Sequence, residues 1–164
     1  MTALERRASG TLHLRNGAGL RFSGYGALFN VPADLGVFRE MVAPGAFAAS
    51  LSGTPDIRLL VNHDTASVIG RTTAGNLRLR EDTTGLKVEA DLDPDDLDVR
   101  RLAPKLRSRL VSQMSFGFSV GPGGDVWDNG HGDERPMRTL TKVRLFETSI
   151  VTFPAYDQTS ATLG

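Results

Sequence analysis

Residues Gln113 to Val120 read Gln-Met-Ser-Phe-Gly-Phe-Ser-Val. Met114, Phe116, Phe118 and Val120 fall on one side of an extended chain, and Ser115, Gly117 and Ser119 on the other. Strict alternation with large apolar groups at every second position predicts a β-strand that buries one face. The opposite face carries only small groups, so another backbone or a substrate carbonyl can approach it closely. Ser115 is therefore a candidate nucleophile, provided the rest of the chain supplies a base and an orienting group. The bland reading is a solvated strand serine.

The surrounding chain suits such a strand. Eighteen glycines and eight prolines in 164 residues imply many turns, which fits a β-rich single domain better than a helical bundle. Lys plus Arg equals Asp plus Glu at 19 each, leaving no overall field to attract nucleic acid or an acidic membrane. The chain has no cysteine, which excludes disulfides, thiolate catalysis and cysteine zinc sites and suits a reducing compartment. No apolar run reaches the length of a membrane span, and Met1 to Gly10 has no apolar core of a signal peptide. A soluble, intracellular protein without cofactor or metal is expected.

In chain order, residues 1–10 are expected to be a flexible N-terminus, 11–156 a single domain and 157–164 a frayed tail. Strands are expected at 11–15 and 20–29, with a bend or bulge at Gly24 or Gly26. Val37 to Val42 reads as a strand, followed by a short helix over Pro44–Leu51 with Phe47 and Leu51 on one face. Asp56–Asp64 reads as a buried strand, and Val68–Arg71, Asn76–Arg80 and Leu86–Leu92 as a meander. Asp93-Pro94-Asp95-Asp96 has the pattern of a helix start, and Pro104 is expected to kink or split the helix that follows. Gly121 to Pro136 reads as a polar loop, and Met137 to Phe153 as one bent strand or two.

Three histidines are present. His13 lies in the first hairpin and His131 in the glycine-rich loop, where both are expected to be idle. His63 ends an apolar run whose Ile57, Leu59 and Val61 share its face on an extended strand. It is the natural general base for a serine, with a hydrogen-bonded structural histidine as the alternative. On an extended strand Asp64 points to the face opposite His63, so it is a poor orienter. Glu147 lies within an apolar, β-branched segment, where a buried carboxylate needs a donor that a histidine N–H would supply. Its alternative is an outward glutamate or a salt bridge to Arg71 or Arg144. The acids from Asp91 to Asp98 do not match a calcium loop: Asp96 stands at the turn-glycine position and Leu102 at the bidentate acid. Gly121-Pro122-Gly123-Gly124 lacks the lysine of a phosphate loop.

Several stretches, taken in order, resemble the prohead (capsid maturation) serine proteases of tailed bacteriophages. They are Gly24–Phe29, Pro44–Phe47, Asn62-His63-Asp64, Ile69-Gly70-Arg71-Thr72, Gly85-Leu86, Met114–Phe118 and Glu147–Tyr156. The resemblance implies a fold similar to the herpesvirus maturation protease, an antiparallel β-barrel flanked by helices. It also implies a serine endopeptidase acting through an acyl-enzyme. The family's histidine falls on His63 and its serine on Ser115. The third member, a histidine in the herpesvirus relatives, is expected at Glu147. Those relatives carry an arginine-rich loop for the oxyanion where this sequence has Pro154-Ala155-Tyr156, so the donors stay unassigned. Arg71 is one candidate, with a structural ion pair as its alternative. The implied substrates are the scaffold or the scaffolding segment of the major capsid protein, and the protease itself. The implied setting is the immature capsid in the bacterial cytoplasm, with a homo-oligomer left open. The alternatives are an inactive β-barrel assembly module and another serine hydrolase, the latter disfavoured by the missing Gly-x-Ser-x-Gly elbow.

Overall fold

The computed structural model describes residues 5–16 and 19–153. The described residues contain twelve strands: β1 (Glu5–Asn16), β2 (Leu20–Leu28), β3 (Ala33–Asp34), β4 (Arg39–Val42), β5 (Arg58–Val61), β6 (Asp64–Arg71), β7 (Leu77–Glu81), β8 (Gly85–Leu92), β9 (Gln113–Ser119), β10 (Asp125–Asp128), β11 (Met137–Leu140) and β12 (Arg144–Val151). Two helices, α1 (Ala48–Leu51) and α2 (Leu97–Arg107), accompany them, with a 3-10 turn at Thr72–Ala74. The expected tail at 157–164 and the Pro154-Ala155-Tyr156 stretch lie outside the described residues.

Eight strands form one sheet in the order β6-β5-β12-β9-β1-β2-β8-β7, and four form a second in the order β10-β11-β4-β3. Most pairs are antiparallel, but β12 runs parallel to β5 and β11 parallel to β4. The mainly β expectation holds; the closed barrel does not. Among the described residues no ladder joins β6 to β7, so the large sheet stays open. It is nevertheless strongly curled. Seven gaps of about 4.8 Å would set the edges of a flat sheet about 34 Å apart. Only five residues lie between Arg71 and Leu77, six Cα steps with a reach of about 20 Å. A side-chain amide spans the seam instead: Asn76 donates to the carbonyls of Ile69 and Asp91, each at 3.2 Å.

The concave side holds the core, which includes Phe22, Phe47, Leu59, Leu86, Val88, Met114, Phe116, Phe118 and Ile150, all at most 2% exposed. Phe116 and Phe118 stack at 4.9 Å, and Phe47 meets Phe116 edge-on at 5.4 Å. The bulge expected in the second strand is present: the β2–β8 register shifts between Tyr25 and Ala27, leaving Gly26 as the extra residue. The small sheet is tied to the large one by Arg138. Its buried guanidinium bonds Glu5 of β1 at 2.8 Å, Asp125 of β10 at 2.8 Å and Glu40 of β4 at 3.1 Å.

Four further expectations are corrected. The first strand starts at Glu5 rather than Thr11. A strand, β10, interrupts the presumed loop at 121–136, because Val126 and Trp127 find a partner in β11. The segment from Val37 forms a strand only from Arg39. Helix α2 starts after Asp96, whose carboxylate accepts from Asp98 N–H at 2.7 Å and Val99 N–H at 3.1 Å, and it runs through Pro104 as one element. Buried Val99, Leu102, Ala103 and Leu106 hold its inner face, so packing outweighs the lost backbone bond.

Phe116 sits at the junction of β9, Phe47 and the core. Phe116→Ala is expected to lower unfolding free energy by about 3–5 kcal/mol, read by urea denaturation.

Candidate active site

β9 is buried on both faces. Its aromatic face joins the core, while Ser115 is 0% exposed and Ser119 8% on the other. The expected solvated face is instead where the candidate residues gather. Cross-strand neighbours share a face. Ser149 of β12 lies opposite Ser115, and Glu147 opposite Gly117.

Parity alone would not put Glu147 there. Leu145 pairs with core-facing Phe118, and a regular strand would turn Glu147 to the same side. The register shifts between Leu145 and Glu147, so Phe146 is an extra residue that reverses the phase. This bulge turns Glu147 out of the core and onto the Ser115 face. Gly117 then leaves it room. A Cβ added at Gly117 would lie 2.4 Å from Glu147 Oε1 and 3.0 Å from its carboxyl carbon.

His63 does not lie on an extended strand, which corrects the expected shared face with Ile57, Leu59 and Val61. Asn62 and His63 are the two central residues of the β5–β6 hairpin, with φ of 52° and 57° and Val61 paired to Asp64. Left-handed angles at both positions are those of a type I′ turn, the tightest link whose twist matches that of the strands. Asn and His enter this region more readily than most residues. The turn is clamped to β12. Asn62 N–H donates to Ile150 O at 2.9 Å, Thr152 N–H to Asn62 Oδ1 at 2.8 Å and His63 N–H to Ser149 Oγ at 3.1 Å.

From this turn the His63 ring reaches Glu147: Nδ1 and Oε1 are 2.5 Å apart. Ser149 Oγ donates to the other carboxylate oxygen, Oε2, at 2.7 Å. Both oxygens of the buried acid are thus occupied. An ionised carboxylate only accepts, so Nδ1 carries the proton and the neutral ring keeps its lone pair on Nε2, the form a general base needs. The His63 side chain retains 14% exposure. Asp64 takes no part: it is exposed and accepts from Ala66 N–H at 2.8 Å.

Ser115 Oγ makes no bond to His63 and has no hydrogen-bond partner among the described residues. Thr148 Oγ1 shares that condition on the core face. Ser115 lies directly across the ladder from Ser149, a cross-strand step of about 5 Å, and Ser149 in turn touches both His63 and Glu147.

Neither arginine considered as a partner of Glu147 takes that role. Arg144 lies over the Phe146 ring, 5.0 Å from its centre. Arg71 makes a two-pronged bond to Asp56, with Nε–Oδ1 and Nη2–Oδ2 both 2.8 Å. That guanidinium holds the Asp56 carboxyl down at about 2. His131 is exposed, and His13 falls on the register of β1 opposite Ser23. Sequence reasoning missed Ser149 and the role of Gly117. The small-residue alternation of β9 was a signal for the glycine; nothing marked the serine.

Beside the bulge an open cleft of about 600 Å³ is bordered by Asp56, Ile57, Pro122, Arg144 and Phe146, a size that admits peptide side chains. Among the described residues no group of three or more His, Asp or Glu side chains is placed to hold a metal ion. Nor is any helix long and apolar enough to cross a membrane.

A family model described as caudovirus prohead serine protease matches residues 3–163. No curated protein and no solved structure matches.

Gly117→Ala must push Glu147 aside. It is expected to destabilise the fold by about 1–3 kcal/mol and to disrupt the His63–Glu147 bond, seen as a lower melting temperature and an altered histidine ring-proton spectrum. Arg71→Ala is expected to keep turnover within about threefold, whereas loss of an oxyanion donor costs about 10²–10³. In the same variant Asp56 should titrate near the ordinary carboxylate range. A carboxyl held low contributes stability above its unfolded value, and that contribution is lost as pH falls through about 2. Arg71→Ala should remove this acid-range contribution, measured by NMR titration and acid unfolding.

Proposed function

Because the chain belongs to the caudovirus prohead serine protease family, a family of capsid maturation proteases, we propose that Ser115, His63 and Glu147 form its catalytic triad. The observation that carries the reading is the part-buried His63–Glu147 bond on the same sheet face as Ser115.

In this reading Nε2 of His63 takes the Ser115 proton as Oγ attacks the scissile carbonyl. Glu147 keeps the imidazole in the required tautomer and stabilises the imidazolium that forms. The imidazolium then protonates the leaving amine, and water, deprotonated by His63, cleaves the acyl-enzyme. Ser115 is buried before substrate arrives, so binding must uncover it and bring Oγ to Nε2. The substrates are capsid-assembly proteins within the immature shell, namely scaffold or the scaffolding segment of the major capsid protein, together with the protease itself.

One observation favours a second reading, an assembly module without activity: the Ser115 hydroxyl is buried and unbonded to His63. Incubation of wild type and Ser115→Ala with assembled capsid precursor separates the two. The protease reading expects cleavage by wild type only; intact precursor in both supports the module. Hydrolysis of simple esters with precursor untouched would indicate a different serine hydrolase. Ser115→Ala or His63→Ala is expected to cost about 10⁶ in turnover. Glu147→Gln should cost up to about 10⁴, both by single-turnover assay.

A further inference from the structure

Ser149 is fully buried, and no step of the proposed chemistry consumes it. Its hydroxyl nevertheless touches both members of the base pair. A serine hydroxyl has one proton, and donating it to Glu147 Oε2 leaves only lone pairs for the His63 N–H. The direction of both bonds is therefore set. Together with the ring contact they close a loop: Glu147 Oε1 to the imidazole, the imidazole to its own backbone, that backbone to Ser149, and Ser149 back to Glu147 Oε2.

This loop constrains two motions that a triad must suppress. A carboxylate held at one oxygen can roll about its terminal torsion, whereas bonds at both oxygens oppose the roll. A histidine on a two-residue turn moves with its backbone, and the amide bond to Ser149 anchors that backbone on β12. We propose that Ser149 is a positioning residue that fixes the His63–Glu147 pair in its reacting geometry. The inference rests on the triad reading above.

Ser149 does not have the geometry of a nucleophile. Its proton is committed to the acid rather than to Nε2. Removing its hydroxyl leaves buried Oε2 without its donor and the part-buried His63 amide without its acceptor. The turn itself stays attached through Asn62 to Ile150 and Thr152, so the fold should survive.

The test compares Ser149→Ala, Ser149→Cys, Glu147→Gln and the Ser149→Ala/Glu147→Gln double variant. Turnover on capsid precursor is read together with the NMR resonance of the His63 Nδ1 proton, which lies far downfield when a carboxylate holds it. Ser149→Ala should lower kcat about 10- to 100-fold, the range expected for a lost hydrogen bond to a charged group, with KM within about twofold. Its Nδ1 resonance should move upfield or broaden while the remaining spectrum stays native. Ser149→Cys, similar in shape with a weaker donor, should fall between. On the Glu147→Gln background, Ser149→Ala should cost less than about threefold more, because its effect runs through the acid.

Wild-type kcat with an unmoved resonance in Ser149→Ala overturns the proposal, as do fully multiplicative losses in the double variant. A loss as deep as that of Ser115→Ala with the resonance intact also overturns it, since Ser149 would then be a reacting group. Should Ser149→Ala fail to fold, the Cys variant decides by the same resonance. Should wild type cleave nothing, the protease reading fails by itself, and the resonance still decides whether Ser149 holds the pair.

Discussion

The site depends on one buried carboxylate. Glu147 lies inside a strand most of whose other residues are buried, and an ionised acid in such surroundings is tolerated only when hydrogen bonds replace its lost water. Each neighbouring feature can be read as meeting that requirement. The bulge at Phe146 turns the acid away from the core, and Gly117 has no side chain to obstruct it. The histidine turn supplies a donor to one oxygen and Ser149 a donor to the other. A carboxylate satisfied in this way is also oriented, which the proposed triad requires of Glu147.

Strand order brings these parts together. β12 lies between β5 and β9, so one strand borders both the histidine turn and the serine strand. Its parallel pairing with β5 sends both chains in one direction, and the turn leaving β5 lands beside Ser149, Ile150 and Thr152. Four bonds then hold a turn of two left-handed residues. The backbone geometry there suits a tight hairpin, so the anchoring goes into aiming the ring rather than relieving strain.

β9 separates two duties. Its aromatic face stacks into the core and holds the fold, and its small face is kept free of bulk for the site. A buried hydroxyl without a partner costs about 1–3 kcal/mol. Ser115 carries that cost on the face that also holds the His63–Glu147 pair.

Alternation in Gln113–Val120 was enough to find the strand, its two unequal faces and Ser115. Glycine spacing was enough for the bulge at Gly26, and apolar context marked Glu147 as an acid in need of a donor. Local pattern carries this information because side-chain direction repeats every two residues and burial must follow polarity. The same rule is insufficient at two places. Parity put His63 on an extended strand, where only a pairing of Val61 with Asp64 makes Asn62-His63 a turn. Parity alone would group Glu147 with Leu145, and only the ladder to β9 reveals the extra residue between them. Which strands lie side by side, in which register and with what bulges is set by contacts between residues far apart in the chain. Ser149 became visible only through such contacts, and so did the open seam between β6 and β7. The sequence by itself determined a β-rich chain with a serine on a two-faced strand, a histidine after an apolar run and an acid in an apolar segment. Tertiary structure decided that the acid and the imidazole meet on the serine's side of the sheet, because that depends on register, and register is not a local property.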